Sequence, residues 1–535
     1  MSTAHLDTFV RDHLPPPEQL PEFRFDLPEL NYPDRLNVAD LLDRAVAAGF
    51  GDKPAVVWED GRWTYRELVD QVDRIARILV EDMGLVPGAR VLLHGPNRPT
   101  TIAAWFAIAK AGGVIVATMP MLRAAELAVV IDKARVTHAL ADGALREAVA
   151  EAHRLAPVLS RVAFWGEGGA LDSVMAGKDG GFRAVDTAAD DPALIAFTSG
   201  TTGKPKGCVH FHRDVFAMAD TFSRHVLKPQ PDEVFAGTPP YAFTFGLGGL
   251  VIFPIAAGAT IACLERPGFD ALCEAVERHG VTTLFTAPTG YRALLRQCSP
   301  QQLTSLRKCV SAGEALPAAT SDAWFEATGI RIIDGIGSTE MIHIFISAAG
   351  GDIRPGSTGK PVPGYRAQII DEAGNPLPRG ETGRLAVKGP TGCRYLADER
   401  QTAYVQHGWN VTGDVYRVDE DGYFWFVARG DDMIVSSGYN IGAPEVEAAL
   451  LRHPAVTECA VVGVPDADRG QIVKAFVVPN AGHEPGEALA AELQDFVKRT
   501  IAPYKYPRAV EFRSELPKTQ TGKLQRFRLR EEAPR

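Results

Sequence analysis

The sequence predicts an α/β fold in two parts. A large N-terminal domain, residues 1–429, is expected to hold helix-covered, largely parallel sheets, with a small antiparallel β unit at about 351–428. A small α+β C-terminal domain, residues 430–535, follows. Three observations predict this. Short apolar runs alternate with helix-period stretches from Ala55 past Ile333, the pattern of βα units. From about Gly351 the runs become short strands between tight turns. At 535 residues the chain exceeds what one core serves, and a boundary at 429–431 leaves a usual small-domain length.

The first thirty-odd residues are proline-rich (Leu14-Pro-Pro-Pro17, Leu27-Pro28, Tyr32-Pro33) and should wrap the surface without regular structure. Ala55-Val-Val-Trp58 and Arg62-Trp63 flank Glu59-Asp-Gly61 and read as a hairpin. Thr64-Tyr-Arg-Glu67 is a capping box opening a helix with Leu68, Val72, Ile75 and Leu79 on one face. A strand at 91–93, a helix at 101–111 and a strand at 114–116 follow. The uncharged stretch Val234 to Leu264 is long enough to suggest a membrane span. Its three prolines and five glycines instead predict a buried, broken strand-and-helix segment. In the β unit, 367–370 and 383–387 are strands around the turn Asp371-Glu-Ala-Gly374. Beyond Arg429 come a helix at 444–452, strands at 459–464 and 474–478, and a helix at 489–500.

The net charge of -10 excludes a general nucleic-acid binder, which is usually basic. Charge is uneven, with ten Lys/Arg against two Glu from Lys498 to Arg530, read as a basic tail or an anion-binding patch. The seven cysteines are scattered and contain no Cys-x-x-Cys, so no disulfide framework or zinc site is expected and a reducing cytoplasm fits. No basic stretch followed by an apolar run opens the chain, so no secretory signal is expected. The triplet Asn410-Val-Thr412 is then a chance match to a glycosylation site.

Five motifs carry chemistry. Thr198, Ser199, Gly200, Thr201, Thr202, Gly203, Lys204, Pro205, Lys206 and Gly207 follow the apolar run Ala193-Leu-Ile-Ala-Phe197. Glycines, hydroxyls and lysines at this density suit a polyphosphate, although the common phosphate loop needs a different spacing. Asp334-Gly-Ile-Gly-Ser-Thr-Glu340 follows a strand read at 331–333; its glycines allow close backbone approach, and Glu340 could hold Mg²⁺ or cap a helix. Thr412-Gly-Asp414 reads as a glycine turn before a strand at 415–418, with a carboxylate able to accept from ribose hydroxyls. Arg429-Gly-Asp-Asp432 marks the boundary. Pro517-Lys-Thr-Gln-Thr-Gly-Lys523 is a second Gly/Thr/Lys loop.

In this order the five motifs resemble the adenylate-forming superfamily of acyl- and aryl-CoA ligases, luciferases and peptide-synthetase adenylation domains. The resemblance runs from about Asp52 to Arg530. It implies two βα-layered sheets, a mobile C-terminal domain, and ATP, Mg²⁺ and coenzyme A as cofactor and co-substrates. Thr198, Ser199, Gly200, Thr201, Thr202, Gly203, Lys204 and Lys206 would hold the β- and γ-phosphates. Gly313, Glu314 and Ala315 would enclose the adenine with Asp334, Gly335 and Gly337, beside Ser338. Thr339 would contact the α-phosphate and Glu340 the metal. Asp414 and Arg429 would bind the ribose, Asp431 would be the hinge, and Lys523 would bridge carboxylate and α-phosphate. Ser437, Gly438 and Tyr439 would line the thiol path.

Ser311-Ala-Gly-Glu-Ala-Leu-Pro317, residues 334–345 and Ala502-Pro-Tyr-Lys-Tyr-Pro-Arg508 are similar to the benzoate and 2-aminobenzoate CoA ligases. The openings Asp7-Thr-Phe-Val-Arg-Asp-His-Leu-Pro-Pro16 and Phe25-Asp-Leu-Pro-Glu-Leu30 look more like the 2-aminobenzoate branch. Tyr241, Ala242, Phe243, Gly335, His343 and Ile344 are then expected at the acyl pocket. Phe243 stands where many such ligases carry a histidine, and His343 is placed to bond an ortho-amino group or to act structurally. The expected partners are a small aromatic carboxylic acid, ATP and CoA, with no nucleic acid and no membrane; a homodimer is common in such families. A stand-alone enzyme loading a carrier-protein thiol, or a CoA ligase for another small carboxylic acid, is the alternative reading.

Overall fold

The computed structural model describes residues 3–198, 205–264, 266, 268–436, 439–466, 469–518 and 524–532. Two large sheets build the N-terminal part. A six-stranded sheet has the spatial order Arg161–Trp165, His138–Asp142, Arg90–His94, Val114–Thr118, Pro192–Thr198, Lys206–Phe211. Its first five strands are parallel and the last returns antiparallel, with Thr198 opposite Lys206. The parallel strands all end on the side where Thr198 enters the phosphate loop, the side on which open α/β sheets bind ligands.

The second sheet has nine strands, among them Ile333–Gly337, Lys308–Ser311, Thr283–Thr286, Val234–Gly237 and Thr260–Ala262. The predicted hairpin Pro54–Trp58 and Gly61–Thr64 forms one edge. The largest apolar cluster draws on both sheets, with Ile115 and Leu194 from one and Val56, Phe235 and Val310 from the other. The helix Pro99–Lys110 is buried from Thr101 onward, as expected of a helix apolar on every side. The capping box at Thr64 and Glu67 forms, and Leu68, Val72, Ile75 and Leu79 are all buried. The uncharged 234–264 stretch is two strands and short helical turns. Among the described residues no helix is long and apolar enough to cross a membrane.

The antiparallel unit pairs Arg366–Ile370, Thr382–Lys388, Trp409–Val418 and Phe424–Arg429. Beyond it stand the hairpin Met433–Ser436 with Tyr439–Gly442 and the sheet Val456–Asp466, Gly470–Pro479, Ala509–Phe512. The helices Ala443–Leu450 and Glu487–Thr500 pack on it around Val446, Leu450, Val461, Ala475, Leu493 and Val497, a core of its own. The proline-rich opening holds only single turns at Phe9–Asp12, Pro17–Gln19 and Pro28–Leu30.

Four readings need correction. The strand expected at 331–333 is Ile333–Gly337, so the Asp334 motif runs inside a strand and then a turn, not into a helix. Thr412-Gly-Asp414 lies within the strand Trp409–Val418 rather than before one. The cysteines do yield a disulfide. Cys273 and Cys298, 25 residues apart, join the neighbouring helices Phe269–His279 and Pro288–Gln297. Only the packing of these two helices brings the thiols together, and spacing carries no sign of it. Finally, six of the ten basic residues from Lys498 to Arg530 have carboxylate partners, and five of those acids lie outside that window. The local charge is therefore much smaller than its sequence count. Asn410 is buried and bonded to Cys393 N and Val387 O, in keeping with a chance triplet.

Candidate active site

The phosphate-loop residues Ser199, Gly200, Thr201, Thr202, Gly203 and Lys204 lie outside the described residues; the two strands that carry them do not. On the returning strand, side chains alternate between faces, so Lys206, Cys208 and His210 share one. The segment 394–396 adds to this strand through Val209 N–H to Arg394 O and Leu396 N–H to Gly207 O, both 2.8 Å. That pairing sets Tyr395 beside Lys206. The Lys206 ammonium donates to the Tyr395 hydroxyl at 2.7 Å and lies 3.7 Å from Glu340 Oε1. The Tyr395 hydroxyl donates to the same Glu340 oxygen. Glu340 is buried, and its Oε2 accepts from no described residue. Lysine, tyrosine and carboxylate thus form one contact group, although Tyr395 was not expected there.

The Asp334 motif packs against its own return. A Cβ on Gly335 would meet Ile344 Cγ2 at 2.7 Å, and one on Gly337 would meet His343 O at 2.7 Å. These glycines are therefore needed for the antiparallel strand Ile344–Ser347, whatever they do toward a ligand. The turn between them is closed by Ile342 N–H to Thr339 O and Met341 N–H to Ser338 Oγ, both 3.2 Å. Ser338 Oγ also meets the Tyr404 hydroxyl at 3.2 Å. Ile342 sits at φ 64°, a strained position for a β-branched residue. Asp334 Oδ1 is buried without a protein partner among the described residues, and burial pushes its carboxyl up to about 7. A shallow recess opens there, bounded by Leu316, Asp334, Arg354 and Ser357. Gly313, at φ 88°, opens the Gly313, Glu314, Ala315 segment on this side.

Asp414 owes its direction to a bulge. Opposite it the pairing steps from Arg384–Val415 to Ala386–Val411, and Gly413 takes φ 79°. Asp414 then faces Arg429 on the adjacent strand, and the guanidinium donates to Asp414 Oδ1 at 3.0 Å. Burial raises the Asp414 pKa and Arg429 opposes the rise. Asp414 is buried while Arg429 is half exposed, so the pair sits at the mouth of the site.

His343 is buried among aromatic rings. The Phe253 ring meets it edge-on at 4.6 Å, with Phe222 at 5.4 Å and Phe245 at 5.8 Å. Phe245, not Phe243, packs on the imidazole. Neither ring nitrogen makes a well-formed hydrogen bond among the described residues, and burial, opposed by the Phe245 backbone, lowers the pKa to about 3, so the ring is neutral. A Cβ on Gly248 would reach His343 Cδ2 at 2.4 Å, so this glycine makes room for the ring. Ile344 is buried against Gly335. Tyr241 and Ala242 line a second, small recess with Thr118, Trp105, Leu247 and Val251.

Lys523, Ser437 and Gly438 lie outside the described residues. Tyr439 is exposed and stacks on Tyr504 with ring centres 4.6 Å apart. Arg526, three residues beyond Lys523, bonds Glu447 at 2.8 Å and lies in the field of Glu314, on the other side of the expected boundary.

The model of the AMP-binding enzyme family matches residues 43–395, and that of the AMP-binding enzyme C-terminal domain matches residues 445–523. A benzoate–CoA ligase of Thauera aromatica is 39% identical over 524 residues, which is 94% of this chain and 97% of that protein. A solved anthranilate CoA ligase in complex with anthranoyl-AMP is similar at 34% identity and TM-score 0.90, covering 95% of this chain and 99% of the other. A benzoate CoA ligase structure from Burkholderia xenovorans is similar at 34% identity and TM-score 0.85, covering 92% and 99%.

Proposed function

The chain belongs to the AMP-binding enzyme family as an AMP-forming acyl-CoA ligase, and from that premise we propose that its acid is a small aromatic carboxylate, benzoate or 2-aminobenzoate. The observation that carries this reading is the neutral His343, with no well-formed hydrogen bond among the described residues, amid Phe222, Phe245 and Phe253. Flat apolar walls suit an aryl ring. The imidazole supplies one polar contact, which an ortho-amino group would meet.

A carboxylate is a poor acyl donor because oxide leaves badly. Attack of the carboxylate on the α-phosphorus of ATP forms an acyl adenylate and releases pyrophosphate; a CoA thiolate then displaces AMP. The first step brings two anions together and needs positive charge at the α-phosphate. We assign that role to Lys523, with Thr339 at the α-phosphate and residues 198–206 at the β- and γ-phosphates. Asp414 and Arg429 hold the ribose. Asp334, Gly335 and Gly337 enclose the adenine with Gly313, Glu314 and Ala315.

Glu340 fits a Mg²⁺ role: the Tyr395 hydroxyl holds Oε1, and Oε2 is left for a cation. Such an ion needs one protein carboxylate beside phosphate and water oxygens. When bound, such an ion would neutralise phosphate charge. The Lys206 and Tyr395 contacts orient its carboxylate.

Lys523 would obstruct the thiol in the second step, so we place a rotation of the C-terminal domain at Asp431 between the two steps. Ser437, Gly438 and Tyr439 then form the thiol path, and the exposed Tyr439–Tyr504 pair offers a stacking surface for the CoA base.

Pyrophosphate-exchange rates over benzoate, its ortho-, meta- and para-substituted forms and short aliphatic acids test the assignment. Benzoate or 2-aminobenzoate should lead by at least tenfold; an aliphatic preference would overturn the aryl reading.

A further inference from the structure

The strand that returns from the phosphate loop continues to His210, a buried residue with no role so far. We propose that His210 is a positioning residue for adenylate formation, fixing the backbone at Thr339 from behind. The inference rests on the reading that Thr339 meets the α-phosphate.

His210 Nε2 lies 2.7 Å from the carbonyl oxygen of Thr339. A carbonyl only accepts, so Nε2 carries the hydrogen. The other nitrogen, Nδ1, is 3.7 Å from Asp214 Oδ2. That carboxylate is itself fixed, accepting from Phe211 N–H at 3.0 Å and from Arg394 Nη1 at 2.6 Å. The Arg394 guanidinium lies 4.1 Å from the Phe211 ring centre and 4.2 Å from that of Phe23. All four groups are buried: Thr339's partner, its carboxylate, the guanidinium, and Cys208 on the same strand face.

The Thr339 carbonyl also closes the strained turn at Ile342. The turn's two internal bonds, from Ile342 N–H to Thr339 O and from Met341 N–H to Ser338 Oγ, are both 3.2 Å long around a left-handed isoleucine, and the 2.7 Å contact from His210 supports it from outside. Arg394, which anchors Asp214, is followed by Tyr395, which bonds Glu340. One short segment therefore steadies both Thr339 and Glu340, the first through Asp214 and His210 and the second directly. Thr339 can be held for phosphate contact only if its backbone does not shift, since small displacements at a reacting centre are costly.

Charge supports this geometry. Burial by itself would lower the His210 pKa, but Cys208 and Asp214 facing it raise it, so the ring favours the protonated form; Nε2 donates to Thr339, while Nδ1 lies in the field of Asp214 without bonding it.

The test compares His210→Leu, which removes the donor, with His210→Gln, whose amide can still reach the Thr339 carbonyl. Three readouts are needed: pyrophosphate exchange, thiolation of a supplied aryl adenylate by CoA, and thermal unfolding. His210→Leu should lower exchange kcat by about ten- to a hundredfold, the scale of one hydrogen bond from a charged donor. Its KM for ATP and its thiolation rate should stay within about threefold. His210→Gln should recover most of the exchange rate. Should the leucine variant not fold, His210→Asn, whose shorter amide falls short of Thr339, takes its place with the same expectation. Equal rates for the leucine (or asparagine) and glutamine variants would overturn the proposal. So would equal loss of both half-reactions, or wild-type exchange without the donor. A wild-type enzyme that exchanges pyrophosphate with none of the acids would instead overturn the adenylation reading on which this rests.

Discussion

A buried imidazole with poorly bonded nitrogens is costly to keep, because each unmet polar group loses its water without replacement. At His343 the poorly bonded nitrogens point to a substrate contact. His343→Leu should therefore lower kcat/KM for 2-aminobenzoate by about tenfold more than for benzoate, since a site built to bond a polar group discriminates most strongly there. Steady-state kinetics on the two acids checks this. Burial keeps the ring neutral down to about pH 3, so the ratio should not change between pH 6 and pH 8; a titrating ratio would assign the contact elsewhere. His343 was legible in the sequence only through resemblance. Its cage was not, because Phe222, Phe245 and Phe253 are brought to it by three separate turns of chain. Tyr395 was illegible for a similar reason: it lies 55 residues from Glu340, and only the pairing of 394–396 with the phosphate-loop strand unites them.

Among the elements, the strand Trp409–Val418 shows how a local rule misleads. Gly413-Asp414 has turn composition, yet the apolar residues on both sides belong to one continuous strand. The glycine makes a bulge there, and the bulge aims Asp414 at Arg429. A Cβ at Gly413 would meet nothing within 4 Å, so only its φ of 79° demands glycine. Gly413→Ala should cost about 1–2 kcal/mol of unfolding free energy and raise the KM for ATP, while Gly413→Asn should cost less. Denaturant titration and exchange kinetics measure both. The strands and helices of the first 130 residues were far easier to read, because capping chemistry and apolar period agree with tertiary burial there.

For the whole molecule, the order of the motifs was enough to indicate the class, and the two sheets with a separate small core agree with it. Long-range electrostatics were beyond reach of the sequence: the Arg526 guanidinium feels the charge of Glu314, more than two hundred positions away. Lys523→Ala should abolish pyrophosphate exchange, by about a hundredfold or more, and leave thiolation of a supplied aryl adenylate within about threefold. Equal loss in both assays would remove the case for a hinge at Asp431.

The shared face of Lys206, Cys208 and His210 also limits how this protein can be altered. Adding or deleting one residue within Lys206–Phe211 would turn Lys206 or His210 away from its partner, because neighbouring strand positions face opposite sides. Length changes belong on the far side of Lys206, within residues 199–204. A library that varies the loop there leaves the lysine, the tyrosine and the histidine in phase, whereas one that crosses into the strand disconnects phosphate binding from the Thr339–Glu340 turn.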